Sequence, residues 1–134
     1  VNLAQQQVEP ERGNEQLAYL HQPTHPAILR LIGSVVGTAR EARIDISVCG
    51  EMASDLRMIP LLLGAGVTSL SMNPRAIPAV KEYIRNLSAG ECRQIFADAA
   101  NMIYAAEIGE MVEERFADRL REFGRGGGVA GKAE

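Results

Sequence analysis

The apolar positions of this chain change their spacing several times, and each change predicts an element. The opening residues 1–24 are polar, broken by Pro10, Gly13 and Pro23, and read as mostly loop. In THPAILRLIGSVVGTAREAR, residues Ile28, Leu31, Ile32, Val35 and Val36 then recur at helical intervals and predict one apolar face. Thr24 is the expected N-cap, and Pro26 sits in the first turn, where its missing N–H costs little. Arg40 and Arg43 fall in the last turn and complement the negative end of the helix dipole. IDISVCG is short, β-branched and closed by a glycine, which predicts a strand. Asp55 stands where it can cap a second helix, DLRMIPLLLGAG. Pro60 shortens or kinks that helix, and Gly64 and Gly66 stop it. VTSLSM alternates as a second strand should, and Asn73-Pro74 ends it. RAIPAVKEYIRNL predicts a third helix with Ile77, Val80 and Ile84 on one face. Ser88 and Glu91 form an S-x-x-E capping box before a long helical stretch, with a break expected near Gly109. Residues 1–123 read as one domain segment, and the glycine-rich tail, residues 124–134, is expected to be disordered.

Strand–helix alternation implies an α/β fold with parallel strands and right-handed crossovers. The expected core sets Ile28, Leu31, Val35, Leu61, Leu62, Ile77, Val80 and Ile84 against Ile46, Val48, Leu70 and Met72. Two parallel strands are too few for a stable closed sheet, because parallel sheets are normally covered on both faces. The expectation is a piece of a larger α/β structure, marginal alone and prone to self-association through its open strand edges.

Composition narrows the partners. The 134 residues carry a net charge of −3 and no basic tract with interleaved aromatics, which argues against nucleic acid or an anionic membrane surface. No apolar run is long enough to cross a bilayer, and the polar N-terminal stretch does not read as a signal peptide. Two cysteines, Cys49 and Cys92, lie far apart without metal-ligand spacing. This fits a reducing compartment, and the expected location is cytoplasmic.

Candidate chemistry starts at Cys49, where a strand gives way to a loop. The carboxyl ends of parallel strands are where ligands bind. Gly50 permits close backbone approach, and Glu51 is placed to orient a water or tune the thiol. A thiol there either donates a proton or fills space as a buried residue, and position alone leaves both open. Arg12, in a loop beside Gly13, either grips a phosphate or carboxylate or is simply solvated. His21 and His25 have the spacing of a metal pair, but Pro23 and Pro26 spoil a shared helix, so His25 reads as part of the helix start and His21 as surface. Cys92, on an amphipathic helix, reads as packing or surface.

Three segments together resemble a known family: RGNEQLAYLHQPTHPAILRLI, SVCGEMASD and LLLGAGVTSLSMNPRAIPAVKEYIR. They are similar to the C-terminal end of the PEP-binding domain of phosphoenolpyruvate-protein phosphotransferases. These are the enzyme I group of the bacterial sugar phosphotransferase system, within the PEP-utilising enzymes. The resemblance runs from about Arg12 to about Arg85. It implies the terminal portion of a (β/α)8 (TIM) barrel, with IDISVCG and VTSLSM as its last two strands. It implies a reaction in which the PEP phosphoryl group passes to a histidine on another domain and the enolate is protonated to pyruvate. On the same ground Cys49 is the proton donor, Glu51 has a supporting role and Arg12 contacts the PEP phosphate. The implied partners are PEP or pyruvate and, through an N-terminal domain, a phosphocarrier protein.

The family's cofactor is Mg2+, held partly by an aspartate in a T-N-D-L segment. Aligned without gaps from Arg12, this sequence has Val1-Asn2-Leu3 there, so Asn2 stands at the metal-ligand aspartate and Val1 at a PEP-binding asparagine. Glu11 replaces the aspartate before the arginine. An amide is a poorer magnesium ligand than a carboxylate. The expectation is that this chain alone does not bind Mg2+ tightly and does not complete the transfer. The alternative, from another class, is a non-catalytic interaction or oligomerisation piece.

Overall fold

A computed structural model describes residues 23–124. The N-terminal loop and the glycine-rich tail predicted above fall almost wholly outside these residues. In chain order the described residues form α1 (Pro26–Ala42), β1 (Ser47–Cys49), a 3-10 turn (Glu51–Ala53), α2 (Ile59–Ala65) and β2 (Ser69–Ser71). Four helices follow: α3 (Ile77–Arg85), α4 (Ala89–Asn101), α5 (Ala105–Arg115) and α6 (Ala117–Gly124). The strands pair in parallel, with Ser47 opposite Ser69, Val48 opposite Leu70 and Cys49 opposite Ser71. The result is a helix-rich α/β arrangement with an open two-stranded sheet among the described residues.

Local chemistry explains most boundaries. Pro26 is at the first helical position of α1, as its fixed φ favours. The cap is His25 and not Thr24: His25 Nδ1 accepts from the Ala27 N–H at 3.2 Å. Thr24 Oγ1 instead donates to the Ala105 carbonyl at 3.2 Å, tying the start of α1 to the start of α5. Arg43 lies one step past the last turn, as a left-handed C-cap. Asp55 does not cap α2 directly. Its carbonyl accepts the N–H groups of Met58 and Ile59, and its Oδ1 accepts the Arg57 N–H at 2.9 Å, so it opens a turn that feeds the helix. α2 is short because Pro60 must lie in its first turn and Gly66, at φ 100°, ends it. The Ser88–Glu91 capping box forms at the start of α4, the Ser88 N–H donating to Glu91 Oε2 at 3.4 Å. The break expected near Gly109 comes earlier, where Met102 and Tyr104 turn extended. Gly109 lies inside α5, because the chain must turn before it for Ile108 and Val112 to reach the core.

The core is aliphatic, and α2 lies at its centre. Met58, Leu61 and Leu62 pack with Leu29, Val36, Ile95, Ala99, Ile108, Val112 and Phe116. Val48 and Leu70, with Ile46, turn one face of the sheet toward this cluster. Ile59, Val80 and Tyr83 form a second cluster, joined by Met72, Ile84 and Phe123. Four residues expected in the core are not there: Leu31 is 64% exposed, Val35 49% and Ile77 46%, and Ile28 is half-buried but joins neither cluster. On α1 the buried stripe is Leu29, Ile32 and Val36, rotated from the expected one. Gly33 explains the rotation, since a Cβ there would meet the Phe96 ring of α4 at 3.0 Å. The small residue draws that side of α1 inward and turns Leu31 and Val35 out.

At Gly64, α2 and α4 approach closely enough to leave no room for a side chain. A Cβ at Gly64 would overlap the Cys92 carbonyl oxygen and press on Phe96 Cβ. The obstacle is backbone, which cannot swing aside. Gly64→Ala is therefore expected to destabilise the chain by about 2–3 kcal/mol through overpacking, despite alanine's better helix propensity. Urea unfolding would check this as a lowered midpoint at an unchanged m value.

Candidate active site

Alternation along the strands decides which way Cys49 faces. Val48 and Leu70 are half-buried toward the helices, whereas Ser47, Cys49, Ser69 and Ser71 are exposed on the other face. The Cys49 thiol therefore sits at the carboxyl end of β1, on an open sheet face otherwise lined by serines. Its register partner on β2 is Ser71.

Gly50 shapes the corner. Its φ of 83° and ψ of −157° belong to a region that side-chain-bearing residues avoid. Its N–H donates to the Ser71 carbonyl at 3.2 Å, extending the ladder one step beyond Cys49. Its carbonyl then accepts the Ala53 N–H at 3.2 Å and starts the 3-10 turn. Glu51 opens that turn and is exposed, and its carboxylate has no ion pair among the described residues. The structure thus brings Cys49 and Glu51 to one corner, on either side of Gly50. Downstream on the same loop, Asp55 hydrogen-bonds the Arg57 guanidinium at 3.2–3.3 Å. This pairing holds the arginine's pKa above its usual value, with Glu113 at 3.6 Å adding to it.

The other candidates separate. His25 is committed to capping α1. Cys92 is buried on α4, and burial pushes its thiol pKa up, with Glu91 raising it further and Arg119 opposing. It is a packing residue. Arg12, Asn2 and His21 lie outside the described residues. Sequence reasoning passed over Ser69 and Ser71 as neighbours of Cys49. The signal was available, because the alternation in VTSLSM puts both on the face opposite Leu70.

The corner thus joins an exposed cysteine at a parallel strand's carboxyl end to a glycine in a glycine-only conformation and an exposed carboxylate. Residues 2–89 match the PEP-utilising enzyme family, PEP-binding domain. The chain belongs to this family. It is 36% identical over 115 residues to the phosphoenolpyruvate-protein phosphotransferase of Mycoplasma genitalium, covering 86% of this chain and 20% of that protein. The Haemophilus influenzae phosphoenolpyruvate-protein phosphotransferase is 34% identical over 113 residues, 84% of this chain and 20% of the relative. Multiphosphoryl transfer protein 1 of Escherichia coli is 37% identical over 98 residues, 73% of this chain and 12% of the relative. The match thus spans about a fifth of the length of the enzyme I relatives.

Two outcomes follow for the corner. A thiol reagent is expected to modify Cys49 rapidly in the folded chain and Cys92 only as the chain unfolds, with two labelled thiols appearing in denaturant. Single-site labelling followed by peptide mass analysis reads this directly, and fast modification of Cys92 would contradict its burial. Gly50→Ala is expected to cost about 1–3 kcal/mol, because alanine must occupy a strained backbone region. Equilibrium denaturation measures the cost.

Proposed function

We propose that these residues are part of the PEP-binding domain of a PEP-dependent protein phosphotransferase, and that Cys49 is its proton donor. The observation that carries this reading is the exposed thiol at the carboxyl end of β1, on the sheet face turned away from the helices. In a (β/α)8 barrel that face is the interior, and the carboxyl ends of the strands are the catalytic rim. β1 and β2 would be the last two barrel strands, with the helices outside them.

The chemistry assigned to the corner is a general-acid step. As the bond between phosphorus and the enol oxygen of PEP breaks, the phosphoryl group goes to a histidine on another domain and an enolate remains. The enolate carbon takes the proton from Cys49 Sγ, giving pyruvate and a thiolate, which solvent reprotonates. A positioned acid of this kind contributes about 10²–10⁴-fold in rate. Glu51 supports the thiol from the adjoining turn, and Arg12 holds the PEP phosphate with its planar fork. Mg2+ is assigned no step here. Asn2 offers an uncharged amide where the family has a carboxylate, so tight binding by these residues alone is not expected. The 134 residues by themselves are not expected to complete phosphoryl transfer to a phosphocarrier protein.

A second reading, a non-catalytic piece that self-associates, draws on a different observation. Leu31, Val35 and Ile44 are exposed, and the sheet has an open edge on each strand among the described residues.

The test is a titration of PEP with Mg2+ into the chain, followed by NMR, for wild type, Cys49→Ser and Arg12→Ala. The PEP reading expects saturable shifts at Cys49, Gly50 and Arg12. It expects affinity to fall about tenfold or more in Arg12→Ala, as loss of a charge-assisted contact should cause, and to persist in Cys49→Ser. No shift at millimolar PEP, together with concentration-dependent dimers in sedimentation, would favour the second reading.

A further inference from the structure

A cavity of about 940 Å³ is lined in part by the loop that follows the Glu51 turn. Its walls come from the turn leading into α2, the start of α3, and helices α5 and α6. Neither Cys49 nor Glu51 lines it.

The floor is apolar. Ala76, Val80, Leu120 and Phe123 meet there. Three arginines stand at the rim, and they are not equivalent. Arg57 is held by Asp55 and Glu113, and Arg121 by Asp118 at 2.6 Å. Arg75 is exposed, and its guanidinium has no carboxylate or other hydrogen-bond partner among the described residues. Its backbone N–H donates to Asn73 Oδ1 at 3.0 Å, which orders the turn and leaves the Asn73 amide NH2 uncommitted. Ala79 also lines the cavity. It lies in the first turn of α3, and its N–H has no backbone acceptor there.

The uncommitted polar groups around Arg75 are thus a guanidinium, an amide NH2 and a backbone N–H. All are donors, and two are those that recognise carboxylates and phosphates. The two carboxylates lining the cavity both face Arg57, Asp55 by hydrogen bonds and Glu113 at 3.6 Å. A mostly apolar pocket of this size with a few convergent polar groups is the usual form of a small-molecule site. A bare inorganic anion would leave the floor unused, and a neutral hydrocarbon would leave the donors unmet.

We propose that this cavity binds a small amphipathic organic carboxylate. Its carboxylate lies on Arg75, and its hydrocarbon or aromatic body lies over Val80, Leu120 and Phe123. The proposal does not rest on the PEP reading, since it uses none of the residues assigned to PEP.

The experiment is an NMR titration of phenylacetate, and separately of its uncharged analogue phenylacetamide, into the full chain. Saturable shifts at Arg75, Ala79 and Phe123 are expected with phenylacetate, and binding about tenfold weaker with the amide. Arg75→Gln is expected to weaken phenylacetate about tenfold and leave phenylacetamide unchanged. Arg75 is exposed, so the variant keeps its fold. Equal binding of acid and amide, or an undiminished Arg75→Gln variant, overturns the proposal. So do shifts confined to Cys49–Glu51, or binding seen only after residues 126–134 are removed, which would make the chain's own tail the occupant.

Discussion

Gly64 lets the backbone of α4 lie directly against α2, and the positions of both strands follow from that contact. α2 is the crossover between β1 and β2, so fixing α2 fixes where each strand ends. Leu61 and Leu62 fill the space beneath it, against Ile95 and Ala99 of the same α4. Further ties hold α4 in place from outside. Arg115 pairs with Asp98 at 3.0 Å and Arg119 with Glu91 at 3.1 Å, so the last two helices are both clamped to α4. Each pair is at least partly exposed and contributes modestly to stability, on the order of 1 kcal/mol or less. Their effect is on register more than on stability.

The second cluster is less completely satisfied. Tyr83 is fully buried with its ring tilted against Phe123 at 6.0 Å, yet its hydroxyl has no partner among the described residues. Burial pushes its pKa far above the usual phenol range, so it stays a neutral donor. A buried hydroxyl without a partner costs stability, of the order of 1–3 kcal/mol. The apolar contacts of Ile59, Val80 and Phe123 around it offset that cost. The same contacts dock α6 against α3.

The parts of the fold that show in the sequence are those with strong local chemistry. Pro26, Pro60, Gly66 and the Ser88–Glu91 box each impose a boundary on their own, and each boundary is where the residue requires it. The two β-branched runs signal strands, although only three residues of each pair. What sequence reasoning missed depends on partners distant in the chain. α1 carries large apolar residues over nearly half its circumference, and the pairing of Gly33 with Phe96 of α4 favours one edge of that face for burial. Thr24 looked like a cap because nothing local announces the Ala105 carbonyl that takes its hydroxyl. At the candidate site, Cys49 was legible because a glycine closes its strand. Arg12 was open between an anion contact and a solvated side chain, and its PEP role, like the place given to Asn2, rests on resemblance. The Arg75 cavity was invisible, since it needs four separate segments to meet.

Gly50 carries a consequence for how related sequences should be compared. Its backbone conformation admits essentially one residue type, whereas the surrounding Ser47, Ser69 and Ser71 are held to no such restriction by their backbones. A glycine that never varies at this position would report a dihedral angle rather than a role in chemistry. Variation at Cys49 is the informative kind, because the strand end would accept many side chains there. Divergent copies that keep the glycine and lose the thiol would retain the corner's shape without its exposed sulfur.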